Sequence, residues 1–227
     1  MRRLLLSLAF ALCAAPAFAQ GTEEEPQAAP GSIAIGMIEE ANAIGIFDIV
    51  HNGQVSVRHL RSGLRCDFNR NGDGGRIIIF APPAPPVNTP PTAEPAIPRG
   101  DDVACDMVES GVQLRYFATR YPFGSTLEEQ IAAVETAIRR RNPNAAPYPG
   151  ATTRAPEDGL PLRRSTRFIV THDGARQFTR ASVARIGDWI IKLRYTAPAP
   201  DDAAAAAADA HADLAFDAAL RDIIDQR

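Results

Sequence analysis

The chain has 227 residues, 45% apolar and 22% charged, with 16 Gly and 19 Pro. Those fractions exclude full disorder, a collagen-like repeat and a coiled coil, and the length allows one domain of about 150–200 residues or two small ones. With a mean hydropathy of −0.14 and no apolar run beyond the N-terminus near the ~20 residues a bilayer-spanning helix needs, the chain is not read as transmembrane.

Arg2 and Arg3 precede an apolar stretch from Leu4 to Ala15, and Ala17-Phe18-Ala19 then offers an A-x-A cleavage site before Gln20. This three-part pattern predicts a signal peptide over residues 1–19, removed near Ala19-Gln20 to leave a periplasmic or secreted protein. Cys13 leaves with it, since Leu12 stands where a lipoprotein signal carries a small residue. The remainder has 22 basic and 27 acidic residues, an acidic balance that argues against nucleic acid as a partner. Neither a G-x-x-x-x-G-K-[ST] loop nor a G-x-G-x-x-G fingerprint is present, and export removes the usual supply of ATP and NAD(P)H, so no cofactor is expected.

Residues 20–31, polar and Pro/Gly-containing, predict a disordered tether. From Ser32, a plausible N-cap, Ile33, Met37, Ala41, Ile44 and Phe47 recur near helical spacing, which predicts a helix ending near Asp48 or Val50. The rival reading of 46–60 is a hairpin, because Asn52-Gly53 is a type I′ turn signal. Short strands follow at Val55–Leu60, Leu64–Phe68, Arg76–Phe80, Val103–Val108 and Val112–Arg120, separated by turn chemistry.

Cys66 and Cys105 are the two cysteines left after cleavage. An even pair in an oxidising compartment predicts a disulfide, with stabilisation of about 4 kcal/mol in the chain-entropy picture. Between them lies a Pro-rich loop over 81–100, with eight prolines from Pro82 to Pro98. It favours extended polyproline II and acts as a spacer, and the staple across its base is expected to keep its flanking strands in register.

The clearest helix comes next. Ser125 and Thr126 each stand three residues before a glutamate, giving two capping-box options, and Leu127, Ile131, Val134 and Ile138 form one apolar stripe. Arg139–Arg141 suit the helix C-terminus, and Asn142-Pro143 end it. A three-stranded meander follows: Thr166–His172, a type I′ turn at Asp173-Gly174, Ala175–Ile186, a type II′ turn at Gly187-Asp188, and a strand from Trp189. In that last strand Trp189, Ile191, Leu193 and Tyr195 alternate with Ile190, Lys192, Arg194 and Thr196, predicting one buried and one mostly wet face. Asp201 and Asp202 open a C-terminal helix with Phe216, Leu220, Ile223 and Ile224 as its packing stripe. Residues 32–227 therefore predict one α+β domain with a mostly antiparallel sheet, an amphipathic helix in the middle and another at the C-terminus.

The order of SGLRCDF, YFATRYP, STLEEQIAAVETAIRRR, FTRASVARIGDWIIKLRYTAP and a final helix resembles a group of uncharacterised exported bacterial proteins over most of 32–225. Over the last hundred residues, helix, paired strands ending in GDWIIKLRY, then helix is similar to the PsbP-like fold. Neither resemblance implies a catalytic set, so no functional residue is carried over.

Asp67, Asn69, Asn71 and Asp73, with Gly72, match the opening of a calcium loop, although position twelve is Ile78 instead of a bidentate glutamate. An Asn/Gly-rich turn explains the same residues. His51, His59, His172 and His211 show no metal-ligand spacing, and no G-x-S-x-G elbow marks a nucleophile. His59, near Asp67, is the one histidine that a hydrolase site assembled in space would use; a structural histidine is the simpler reading. Charge is uneven: residues 20–109 carry 6 basic and 13 acidic groups, 110–197 carry 14 and 7, and 198–227 carry 2 and 7. The basic middle either presents a face to an anionic surface or is neutralised by the acidic C-terminal helix, the preferred reading. The resulting expectation is an exported, non-catalytic binding or envelope-accessory protein, with an envelope protein or an anionic surface as candidate partner; the alternatives are a hydrolase and a calcium-dependent binding module.

Overall fold

The computed structural model describes residues 29–81, 97–121 and 124–227. The expected signal peptide, most of the expected tether and most of the Pro-rich loop lie outside them.

Helix α1 (Pro30–Glu40) starts with proline in its first turn, where a missing N–H is harmless and φ is preset. It thus begins before the Ser32 start that spacing predicts, and takes up the last residues of the expected tether. It also stops well short of Asp48. Asn42 adopts φ +49, and the Ala43 N–H donates to the Ile38 carbonyl at 2.8 Å while that of Asn42 donates to Glu39 at 2.9 Å. That is a Schellman stop, and it overrides the apolar spacing that continues to Phe47. Strands β1 (Phe47–Ile49) and β2 (Ser56–His59) then pair antiparallel, with Phe47 opposite His59, so the hairpin reading holds for this segment. Its connection runs from Val50 to Val55 and is longer than a two-residue type I′ turn, although Gly53 does take φ +79. Strand β3 (Arg65–Asp67) completes a three-stranded sheet in the order β1-β2-β3.

The larger sheet has eight strands: β4 (Arg76–Ile79), β5 (Asp102–Glu109), β6 (Val112–Arg120), β7 (Ala146–Pro147), β8 (Thr153–Arg154), β9 (Arg163–His172), β10 (Ala175–Ile186) and β11 (Trp189–Pro198). The order is β4-β5-β6-β11-β10-β9-β7, β8 also pairs with β9, and every strand pairing is antiparallel. Strand β9 starts three residues before the predicted Thr166, because Arg163 and Arg164 still find ladder partners in β8 and β10. Asp173 and Gly174 both have positive φ, +50 and +77, as a type I′ turn requires, and Gly187 alone does so in the next turn, at +59.

Helices cover both faces. Thr126 caps α2 (Leu127–Arg141) through a full capping box with Glu129. The helix packs Leu127 and Ile131 on Val183 and Ile190, and Val134 and Ile138 on Phe168 and Val170. The face of β11 predicted to be mostly wet is therefore partly roofed, and Ile190 is only 1% exposed. On the other face lies α3 (Asp202–Asp225), capped by Asp201, whose carboxylate accepts from the Ala204 N–H at 2.7 Å. Ala205, Ala212, Phe216, Leu220 and Ile223 enter the main core beside Phe178, Ile191 and Tyr195; α1 and the small sheet add Ile38, Phe47, Val57 and Leu64.

Cys66 and Cys105 are bonded, with their Cα atoms 6.2 Å apart. The bond joins β3 of the small sheet to β5 of the large one. Its work is to hold two sheets together, beyond keeping neighbouring strands in register.

Charge is neutralised inside the fold. Asp209, Asp213 and Asp217, one turn apart on α3, meet arginines projecting from β8, β9 and β10. Arg167 donates to Asp209 at 2.7 Å, Arg163 to Asp217 at 2.6 Å, and Arg180 to Asp209 at 2.7 Å and to Asp213. Arg180 also donates to Ser165 and Ser182 at 3.1 and 3.0 Å. Arg163, Arg167 and Arg180 are buried, so these pairs rely on their hydrogen bonds to offset desolvation.

Candidate functional site

Beside the disulfide, the β3–β4 loop, the β5–β6 hairpin and the outer flank of α3 enclose a groove of about 850 Å³. Leu114, Tyr116 and Met107 form its apolar part, and Ala215, Ala218 and Ala219 form its helical wall. The space exists because those α3 positions carry only methyl groups where larger side chains would fill it.

Charged groups of both signs ring the opening, and Arg65, Asp67 and Asp222 are engaged with one another. Arg65 donates from Nε to both Asp67 oxygens at 3.0 Å and from Nη1 to Asp222 at 3.2 Å. The hydrogen bond to Asp67, aided by the two carboxylate charges, raises its pKa against the opposing effect of burial. Ser56 donates to Asp67 at 2.5 Å. The Tyr116 hydroxyl donates to the Ala215 carbonyl at 3.2 Å, and burial, with the nearby Asp67 charge, pushes its pKa well above the usual phenol range. His211 shares a 3.1 Å hydrogen bond with the Tyr195 hydroxyl.

The calcium-loop residues divide. Asp67, Asn69 and Asp73 line the groove, but Asp67 is turned toward Arg65 and Ser56. Asn69 serves its own turn: its Nδ2 donates to the Asp73 carbonyl at 2.6 Å and its Oδ1 accepts from the Asn71 N–H at 3.2 Å. Gly72, at φ +73, lets the turn pass close to α1, since a Cβ there would meet Ile33 at 2.8 Å. Among the described residues no group of three or more His, Cys, Asp or Glu side chains is arranged to hold a metal ion.

His59 is absent from the groove. Fully buried, it packs against the rings of Phe47 and Trp189 at 5.2 and 5.3 Å, and its Nδ1 bonds the Ser62 hydroxyl at 2.7 Å. Burial lowers its pKa to about 4, against a backbone interaction with Gly100. It is neutral at physiological pH and walled off from solvent. His51 and His172 are exposed at the surface.

Sequence reasoning anticipated Asp67, Asn69 and Asp73 for another purpose, and missed Leu114, Tyr116, the α3 alanines and Asp222. The one available signal for the helical wall was the small size of Ala215, Ala218 and Ala219 beside a conventional packing stripe.

The fold and groove describe an α+β protein with an open, mixed-polarity cleft, whose described residues include no helix long and apolar enough to cross a membrane. Neither a protein-family profile nor a curated protein matches the chain. Among solved structures it is similar to the solution structure of cyanobacterial PsbP (CyanoP) from Synechocystis sp. PCC 6803, at 14% identity and a TM-score of 0.42, covering 70% of this chain and 86% of that one. This is a weak likeness of chain path, and nothing about the groove rests on it.

Proposed function

We propose that this is an exported, non-catalytic binding protein that seats an amphiphilic ligand in the groove between α3 and the β5–β6 hairpin. The groove's construction carries the reading: it is large enough for a small molecule, has an apolar bed, and carries a mixed rim in which Arg65, Asp67 and Asp222 are already paired. A site built for proton transfer keeps a titratable group free and aimed into the cleft. Here Arg65, Asp67, Asp222 and Tyr116 are held by protein partners, Asp73 and Glu109 stand exposed on the rim, and the histidine a hydrolase would need near Asp67 lies in the core. A rim bearing both Arg70 and Glu109 favours a zwitterionic or uncharged head over a strongly anionic one. Export is supported by the leader pattern of residues 1–19 and by the disulfide, a bond of oxidising compartments.

The test is a nuclear magnetic resonance titration with dodecylphosphocholine below its micelle-forming concentration. Saturable shifts should gather on Leu114, Tyr116, Ala215 and Ala219, and Ala218→Trp should abolish them while leaving the melting temperature unchanged. Shifts scattered elsewhere, or undiminished in Ala218→Trp, would overturn the assignment.

A further inference from the structure

A second apolar site lies at the other side of the small sheet and shares no lining residue with the groove. Five large apolar side chains are strongly exposed among the described residues, and three of them, Ile35 (46%), Ile44 (72%) and Leu60 (53%), surround one pocket of about 310 Å³ floored by Ile38 and Phe47. Scattered exposed aliphatics are ordinary; several gathered around a concavity mark an interaction surface.

Strand β1 is the free edge of its sheet, but it does not invite another strand. The Phe47 N–H donates to the Ala43 carbonyl at 3.0 Å and the Ile49 N–H to its neighbour Asp48 Oδ1 at 2.8 Å. With those edge donors satisfied, recognition must come through side chains. The rim is acidic. Glu39 and Asp48 line it, Glu40 ends the adjoining helix, and all three are exposed without an ion pair among the described residues. Arg58, opposite Asp48 in the hairpin, makes no ion pair with it. A second copy docking through a two-fold axis would set this acidic rim against itself, and an anionic lipid surface would be repelled.

We propose that this pocket docks a second protein, taking aliphatic side chains from a cationic amphipathic helix whose Lys and Arg flank them to meet Glu39, Glu40 and Asp48. The probe is a fluorescent synthetic helix with a leucine stripe flanked by lysines; its control carries glutamates in place of the lysines. The purified protein should bind the lysine peptide saturably, more weakly as salt rises, and should not bind the glutamate peptide. Ile44→Arg should weaken binding about tenfold or more, with Leu60→Gln as the second variant should the first fail to fold. The double change Glu39→Lys/Asp48→Lys should reverse the preference between the peptides. Equal binding of both peptides, or indifference to both apolar variants, would overturn the proposal. So would a dimer in sedimentation that Ile44→Arg dissociates, which would assign the patch to self-association. Dodecylphosphocholine shifts at the groove should be unaffected by Ile44→Arg, so the two sites stand or fall separately.

Discussion

Helices α2 and α3 dock on opposite faces of one sheet by different physics. The first is held chiefly by aliphatic insertion: Leu127, Ile131, Val134 and Ile138 meet Val183, Ile190, Phe168 and Val170. The second combines an apolar stripe with a ladder of aspartates on buried arginines. Hydrophobic burial is non-directional and tolerates sliding. Hydrogen-bonded ion pairs in low dielectric fix register, and penalise any arrangement that leaves one partner alone. α3 therefore sits in a defined register with its alanines turned to the groove, and the shape of the groove inherits that precision.

The contrast is sharpest when one charge is removed. Arg180→Leu leaves Asp209 to Arg167 alone and Asp213 to the 3.7 Å contact with Arg154, and should destabilise the protein by about 3 kcal/mol in urea unfolding. The double variant Arg180→Leu/Asp213→Leu should regain much of that loss. Equal instability of the single and double variants would show that the pair does not act as a unit. On the other face Ile138→Ala, at a fully buried position, should lose about 2–4 kcal/mol through cavity formation, with no dependence on salt.

Acid separates the two sides further. His59 titrates at about 4 in the fold against 6.5 unfolded, so the unfolded chain binds the extra proton between those values. Stability is full above pH 6.5 and falls toward pH 4 by up to about 3 kcal/mol. His59→Gln should flatten that slope, and an unchanged slope would remove His59 as its origin. For Asp213, burial acts to raise the pKa, but the Arg180 hydrogen bond and the charges of Arg180, Arg154 and Arg167 outweigh it and leave it lowered. Its contribution is present above the ordinary carboxylate range and lost as pH drops through the lower folded value, so hydrogen exchange in α3 should quicken there. The smallest effect belongs to the α2 cap: Thr126→Ala should lose about 1 kcal/mol and fray only the first turn.

Local signals in the sequence were enough to place β5, β6, β10 and β11, both hairpin turns of the meander, and the starts of α2 and α3. Alternation, Gly with positive φ and capping side chains all act within a few residues. The stretch from Ser32 to Val50 misled because apolar spacing continued past the stop made by Asn42 and Ala43, whose backbone geometry no periodicity records. The Cys66–Cys105 pair followed from parity and compartment, whereas its role in joining two sheets required knowing that β3 and β5 belong to different ones. The groove itself was invisible in the linear chain. It is made chiefly by the β3–β4 loop, the β5–β6 hairpin and α3, which are distant in sequence, and by alanines that matter for the volume they leave empty. Short-range chemistry thus determined the elements and the balance of charge. Only the packing of α3 against Arg163, Arg167 and Arg180 decided where the cavity lies, because the energy of an ion pair depends on separations that the order of residues does not contain.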